Sequence, residues 1–353
     1  GEYEEDRVLG AISTPVLSNE QRCTVGTLYK QSPFEAKKLG AALVAINLGG
    51  IIQEHFLASP KNMKVLVYCW RGGERSYSLA HTLCRIGFDV SLVCGGYRAY
   101  RNQVLATLEG AGQFKYHIIS GKTGCGKGVL LDELRAQGAQ VIDLEGCASH
   151  RGSILGQDPE CEFLQPSQKL FESRVYDEIC RFDPSRPVFV EGESSRIGVR
   201  NVPSEIWKGM KAGQHTVVEA PMEERVRYLL AGYEHFTSTH VDMLREKLKQ
   251  LTRNRGQVVT ERWLALVDAG NFAEFVEDIL LNHYDPGYIA ASKRDYSDAW
   301  GVDKQSGDDD ASDDGNETGN DVECPSETNV RWVSEISKAA YREVATEIIQ
   351  RVV

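Results

Sequence analysis

Short apolar runs alternate along this chain with longer stretches that carry apolar residues at helical spacing. Val65-Leu66-Val67-Tyr68 has the continuous apolar character of a buried strand, and residues 77–86 beyond it repeat apolar side chains on one helical face. The pattern predicts strands near 65–69 and 90–94 and helices near 33–45 and 76–87, with Gly95-Gly96-Tyr97-Arg98 as a turn. Together they form a first unit over 1–103. That unit opens on the helix-like Glu2-Tyr3-Glu4-Glu5-Asp6 with no strand before it, so the chain reads as a truncated form of a longer protein. A second unit is expected over 115–302, with strands at 115–120, 140–144, 187–191 and 215–219. Helical stretches at 128–137 and 166–181 fall between them, and 222–300 reads as mostly helical. Such alternation predicts a parallel sheet with helices on both faces. Residues 331–353 read as a terminal amphipathic helix whose stripe of Val333, Ile336, Ala340, Val344 and Ile348 is expected to pack rather than to meet a partner.

Charge changes this picture in one place. The formal net charge is -11, yet residues 303–327 alone hold ten acidic residues and one lysine, a local -9, which leaves about -2 for the rest. Residues 303–330 therefore read as an acidic disordered insert, and the acidic total does not exclude a nucleic-acid partner. A basic run, Arg245, Lys247, Lys249, Arg253 and Arg255, is explained equally by a solvated helical face and by RNA contact. The 353 residues leave room for two or three domains. No apolar run is long enough to span a bilayer and no secretory signal opens the chain. The nine cysteines are scattered without a Cys-x-x-Cys pair, which argues against a zinc ribbon or a dithiol motif. The pattern predicts reduced thiols in a soluble, intracellular protein, in cytoplasm or organelle. No metal site is expected, and the oligomeric state is left open.

Two loops carry chemistry. Cys69-Trp70-Arg71-Gly72-Gly73-Glu74-Arg75-Ser76 joins a strand to a helix, so the Cys69 sulfur is expected inside a ring of backbone N–H groups at the helix's positive end. Such a nest stabilises a thiolate, and Arg71 and Arg75 add fixed positive charge. The second loop, Gly121-Lys122-Thr123-Gly124-Cys125-Gly126-Lys127, also joins a strand to a helix, as a P-loop requires. Gly121, Thr123, Gly124, Gly126 and Lys127 would cradle phosphate oxygens. The next residue, Gly128, stands where Ser or Thr would ligate Mg2+, so phosphate binding is favoured over ordinary magnesium-nucleotide hydrolysis. Ligands of open parallel sheets sit beyond the strands' carboxyl ends. Asp143, Glu145, Glu191, Glu193 and Arg196 are therefore expected to face the crevice of Lys127, either to hold a cation or a proton or as helix caps and structural pairs.

The first unit resembles a rhodanese domain, which carries sulfur as a persulfide on such a cysteine. The Cys69–Arg75 spacing is one residue longer than in many sulfur-transfer rhodaneses and matches the Cys-x5-Arg of cysteine phosphatases. The whole ordered set resembles the tRNA 2-selenouridine synthase family. It comprises Cys-Trp-Arg-Gly-Gly-x-Arg-Ser, residues 95–101, the P-loop, Asp-Leu-Glu-Gly at 143–146, His-Arg-Gly-Ser at 150–153, Gln-Pro-Ser-Gln at 165–168 and Glu-Gly-Glu-Ser-Ser-Arg-Ile-Gly at 191–198. Val25 to Lys30 and Tyr284-Asp285-Pro286 are similar to that family as well. Gly128 and the acidic insert depart from its bacterial members.

The resemblance implies an α/β protein, a rhodanese-like parallel-sheet domain followed by a P-loop NTPase-like α/β domain with a helical C-terminal region. It implies a transferase that converts wobble 2-thiouridine of tRNA to 2-selenouridine through an S-geranylated intermediate. The substrates would be geranyl diphosphate and selenophosphate, with no tightly bound cofactor. Cys69 would handle selenium and Arg71 and Arg75 an anionic donor or tRNA phosphate. The 121–127 loop would hold the geranyl donor's diphosphate, the 245–255 run tRNA backbone, and His150 and Arg151 would lie near the same pocket. Two alternatives stay open: a thiosulfate sulfurtransferase or cysteine phosphatase fused to a P-loop kinase, and a non-catalytic tRNA- or partner-binding protein.

Overall fold

The computed structural model describes residues 1–157, 163–295 and 330–352, so the acidic insert lies, but for Val330, outside the described residues. The chain is α/β and divides into two units. The first comprises Gly1–Leu108 and Pro166–Asp177. Its strands β1 (Lys64–Val67) and β2 (Asp89–Leu92) pair in parallel with Val65 opposite Val90 and Val67 opposite Leu92. The helix Glu74–Ile86 makes the crossover and buries Ser76, Leu79, Ala80 and Leu83. It stops at Gly87, whose φ of +112° is the left-handed cap that glycine adopts without steric cost.

The helix Asn19–Gln31 begins on a reciprocal cap. The Ser18 hydroxyl accepts from the Gln21 N–H at 3.2 Å and the Gln21 side chain accepts from the Ser18 N–H at 2.9 Å. Pro33 opens the long helix Pro33–His55, where its fixed φ suits the first turn. Ile51 of that helix joins Phe56, Val67, Leu79, Leu83 and Phe88 in the core.

Two expectations are corrected in this unit. Residues 95–98 are not a turn alone: Gly95 turns the chain and the helix Gly96–Glu109 starts on the next residue, with Tyr97, Val104 and Leu108 buried. The glycine pair signalled a stop but marks a helix start, because the buried stripe lies downstream of it. The helix expected at 166–181, assigned to the second unit, runs Gln168–Ile179, and its larger part belongs to the first. A buried carboxylate accounts for this, since Asp6 accepts from Tyr97 Oη at 2.7 Å and from Ser173 Oγ at 3.1 Å.

The second unit comprises Glu109–Gln165 and Glu178–Val353. Strands β3 (Tyr116–Ser120), β4 (Gln140–Ile142) and β5 (Val188–Glu191) are buried throughout. A short antiparallel pair, β6 (Arg196–Ile197) and β7 (Arg200–Asn201), precedes β8 (Gln214–Glu219) and β9 (Val330–Trp332). The main sheet is five-stranded and parallel throughout, in the order β4-β5-β3-β8-β9. Strands β3, β4 and β5 are buried along their whole length although His117, Ser120 and Gln140 interrupt their apolar residues, as befits a parallel sheet.

The expected terminal helix at 331–353 begins later, at Lys338–Val352, and is preceded by strand β9 beside β8. Three strand residues are too few to show a period. The apolar stripe packs as expected: Val333, Ile336, Val344 and Ile348 join Ile119, Leu130 and Leu134 in one core, each such side chain stabilising by about 1.5–3 kcal/mol. Helices Met222–Gly232, Val241–Gln250, Gln257–Asp268 and Phe272–Ile279 enclose a separate core around Phe236, Leu248, Trp263 and Phe275. No described helix is long and apolar enough to cross a membrane.

Candidate functional site

Cys69 follows β1 and is half-buried. Ser76 Oγ lies 3.2 Å from its Sγ and 3.0 Å from the Gly73 carbonyl. Burial pushes the thiol up, but hydrogen bonds from the Ser76 hydroxyl and from the backbone N–H groups of Arg71, Ser76 and Gly73 outweigh it and hold the thiol below its ordinary value. The loop is braced from behind. Tyr97 N–H donates to the Cys69 carbonyl at 2.8 Å and Arg98 N–H to that of Trp70 at 3.1 Å, while the Trp70 and Tyr97 rings stack at 4.8 Å. A side chain on Gly96 would stand 2.1 Å from the Cys69 carbonyl oxygen. Of the two expected arginines, Arg71 is exposed, whereas Arg75 is tied to Glu2 at 3.0 Å. Ser76 closes the motif in the sequence, and the structure makes its hydroxyl a partner of the Cys69 sulfur, a role the sequence does not assign to it.

The 121–127 loop links β3 to the helix Lys127–Ala136. Gly121, Gly124 and Gly126 have φ of +154°, +86° and +65°. A side chain on Gly121 would meet the Val218 carbonyl at 2.5 Å, so the loop's close approach to β8 requires glycine. Lys127 Nζ donates to the Gly121 carbonyl at 2.8 Å and lies 5.6 Å from the centre of the Tyr288 ring. Burial works against the ammonium, but Tyr288, Glu193 and Glu145 around it raise it above its ordinary value. Buried Arg225 donates to the Thr123 carbonyl at 2.9 Å and is itself gripped by both oxygens of Asp285 at 2.9 and 2.5 Å. This gives the Tyr284-Asp285-Pro286 motif a role, since it anchors the loop from a distant helix. Tyr288, whose hydroxyl accepts the Gly121 N–H at 2.7 Å, was not singled out in the sequence. Gly128 faces open space.

The carboxylates divide. Asp143 caps the helix Leu144–Ala148, accepting from the Gly146 N–H at 2.7 Å. Glu191, at the end of β5, is 2% exposed; one oxygen accepts the Glu145 N–H at 2.6 Å and the other, Oε2, has no hydrogen-bond partner among the described residues. Burial and the nearby Asp143 push its carboxyl well up. Glu145 is likewise pushed well up, by burial and by Glu193. Arg196 turns away, its Nε bonded to the Gly198 carbonyl at 3.0 Å. Arg151 is exposed, bonded to the Gly232 carbonyl at 2.7 Å and set over the Tyr233 ring. His150 is buried, and that burial lowers its affinity for a proton.

The basic run does not form one free face. Arg245 pairs with Asp242 at 2.6 Å and Asp268 at 2.8 Å, and Lys249 with Glu246 at 2.6 Å. Lys247 donates to the Ile154 carbonyl at 3.0 Å, and Arg255 donates to His283 Nδ1 at 2.8 Å. Arg253 is exposed. The charges mostly hold the helical cluster together.

An apolar cleft with an inner volume of about 60 Å3 lies in the same unit, walled by Leu229, Leu230, Phe236, Phe275, Val276 and Leu280. Its lining includes Thr123 of the 121–127 loop. Leu229 also packs on that loop, since a Cβ on Gly124 would lie 2.9 Å from its Cδ1.

A family model described as the tRNA 2-selenouridine synthase AAA domain matches residues 114–306, more than half of the chain. The chain belongs to the tRNA 2-selenouridine synthase family. The tRNA 2-selenouridine synthase of Shewanella halifaxensis is 30% identical over 320 residues, which cover 81% of this chain and 85% of that one. Its counterpart in Psychromonas ingrahamii is 32% identical over 234 residues, 66% of this chain and 62% of the relative. That of Nitrosomonas europaea is 31% identical over 245 residues, 66% and 61% respectively, so two of these matches span less than two thirds of the relative. The synthase-family match contains the 121–127 loop, Glu145, Glu191, Glu193 and the helical cluster, and begins after Cys69.

Proposed function

We propose that this chain is a transferase that modifies the wobble 2-thiouridine of tRNA. The base sulfur displaces diphosphate from geranyl diphosphate; the selenium of selenophosphate then displaces that sulfur, which leaves as geranyl thiol, and water cleaves the Se–P bond to release phosphate. The observation that carries the reading is the apolar cleft whose lining includes Thr123 of the Lys127 loop. A ligand with an anionic head and a hydrocarbon tail suits that pair of surfaces, and a nucleotide does not need the second one. On this reading residues 121–127 are a P-loop that grips diphosphate, and Gly128 is tolerated because a cradle of amides and one ammonium needs no hydroxyl on a metal. The cleft's inner volume is smaller than a ten-carbon chain, so the tail enters by displacing side chains such as Leu230 and Val276.

The Cys69 unit is read as rhodanese-like. Its thiolate-favouring loop supports selenium handling, because the thiolate is the attacking form. The phosphatase alternative wants Arg75 over the sulfur, and Arg75 is instead engaged by Glu2. The test is mass analysis of nucleosides from thiolated tRNA incubated with the protein, geranyl diphosphate and selenophosphate. A geranyl adduct and then a sulfur-to-selenium mass gain are expected on the wobble base. An unchanged base with folded protein refutes the proposal.

A further inference from the structure

The 121–127 loop contains a reverse turn. Cys125 N–H donates to the Lys122 carbonyl at 3.2 Å, and Gly124 stands at the turn's third position with φ of +86°. Thr123 before it has a negative φ, so the turn is of type II, the form that favours glycine there. Types I and II differ by a half-turn of the middle peptide, here Thr123–Gly124, and a glycine at the third position permits both. The carbonyl of that peptide is the atom held by Arg225, which is only 4% exposed and donates through Nε at 2.9 Å. The two terminal nitrogens of Arg225 are taken by the two oxygens of Asp285, at 2.9 and 2.5 Å, so the guanidinium is fixed on all three sides. Leu229, one helical turn beyond Arg225, closes on Gly124 itself.

We propose that Arg225 and Asp285 are positioning residues that hold the Thr123–Gly124 peptide in one of its two orientations and thereby aim the Gly124 N–H at the diphosphate. This rests on reading residues 121–127 as a diphosphate cradle. A trans peptide is planar, and its C=O and N–H point in opposite directions. With the carbonyl fixed on Arg225, the Gly124 N–H is turned away from the helix Met222–Gly232. The reversed peptide would present a carbonyl oxygen in place of that N–H, and the oxygen would repel phosphate. A glycine peptide left free to choose would also lose that freedom on binding, at a cost in affinity. Arg225 acts through the peptide and does not touch the ligand, since its donors are engaged by Thr123 and Asp285. A buried ion pair is a poor source of stability compared with apolar residues of the same size, so orientation of the loop is the better account of why one lies under it.

The test measures the affinity of the full chain for inorganic pyrophosphate, by calorimetry, in the wild type, D285N and R225K. The signs separate positioning from charge. D285N removes a negative charge near the anion, so electrostatics alone would tighten binding; positioning predicts that Kd weakens about tenfold or more, the loss of one hydrogen bond to a charged group. R225K keeps the charge but lacks the planar fork that serves Asp285 and the carbonyl together, and the same weakening is expected. In the wild type the Gly124 amide is read directly by NMR, with threonine labelled at its carbonyl carbon and glycine at its nitrogen. Thr123-Gly124 and Thr318-Gly319 are the two such pairs in the chain, and T318S removes the second signal. Pyrophosphate should move the Gly124 amide proton downfield, and by less in R225K. A folded D285N or R225K that binds as tightly as the wild type, or a wild-type Gly124 amide that pyrophosphate does not move, overturns the inference and leaves the cradle intact. If neither variant folds by circular dichroism, the wild-type Gly124 amide decides. A wild type that binds no pyrophosphate overturns the cradle and the inference with it.

Discussion

His117 and His215 lie on adjacent parallel strands, β3 and β8. His117 Nε2 meets Thr216 Oγ1 at 2.8 Å and His215 Nδ1 meets Ser120 Oγ at 2.9 Å. Burial, with mutual repulsion added at His117, lowers each to about 4 from an ordinary 6.5. Between those values the unfolded chain binds a proton that the folded chain refuses, so stability falls as pH drops from about 6.5 towards 4 and no further loss comes from this pair below that. At pH 5 the linkage amounts to about 2 kcal/mol for each histidine, about 4 kcal/mol together. For a unit of this size that lowers Tm by about 8–16 °C relative to the same protein without the two titrations. The perturbation is H117Q, whose amide replaces Nε2, combined with H215N, whose amide replaces Nδ1. Thermal melts at pH 7, 6 and 5 read the slope. The double variant should lose less stability between pH 7 and 5 than the wild type by about that amount, whatever its starting Tm. A double variant with the wild-type slope refutes the argument that these rings are held neutral by burial.

S76A removes the hydroxyl donor to Cys69, so the pH midpoint of Cys69 alkylation by iodoacetamide should move upward; an unchanged midpoint sinks the assigned role of Ser76. G96A places a methyl on the Cys69 carbonyl at φ +61°, so it should cost more than the roughly 1–2 kcal/mol of left-handed strain and slow Cys69 alkylation, as urea melts and mass-monitored labelling would show. V276W fills the apolar cleft and should raise KM for geranyl diphosphate at least tenfold while leaving pyrophosphate affinity within twofold. Loss of both would place the tail elsewhere. E191Q neutralises a buried carboxyl whose folded value is raised, so stability that the wild type loses with rising pH is retained; the variant's advantage in Tm should be greater at pH 8 than at pH 5.

Much of the second unit was legible because β3, β5 and β8 each carry a short apolar stretch, Ile118-Ile119, Val188-Phe189-Val190 and Val217-Val218, and each lies within a few residues of its expected place. Strand β9 was not, because Val330, Arg331 and Trp332 are too few to carry a period and follow a long polar stretch. Both chemical loops were legible, since their glycines are dictated by backbone geometry within a short segment. What each charged side chain does was not. Asp143 as a cap, Arg75 on Glu2 and Lys247 on the Ile154 carbonyl depend on partners that the fold brings from elsewhere. Arg225 and the hydroxyl of Tyr288 are the same case in reverse, loop supports lying far along the chain with no local signal, whereas their neighbour Asp285 was marked only as part of a motif without a role. The apolar cleft hid inside ordinary amphipathic helices, whose stripes look alike whether they close a core or leave a groove.

The most direct test assigns the two transfers to separate loops. C69A and K127A, each shown to be folded, are incubated with thiolated tRNA, geranyl diphosphate and selenophosphate, and the wobble nucleoside is weighed. C69A should accumulate the geranylated base without selenium, and K127A should yield neither product. Geranylation that survives in K127A, or is lost together with selenation in C69A, would contradict the account.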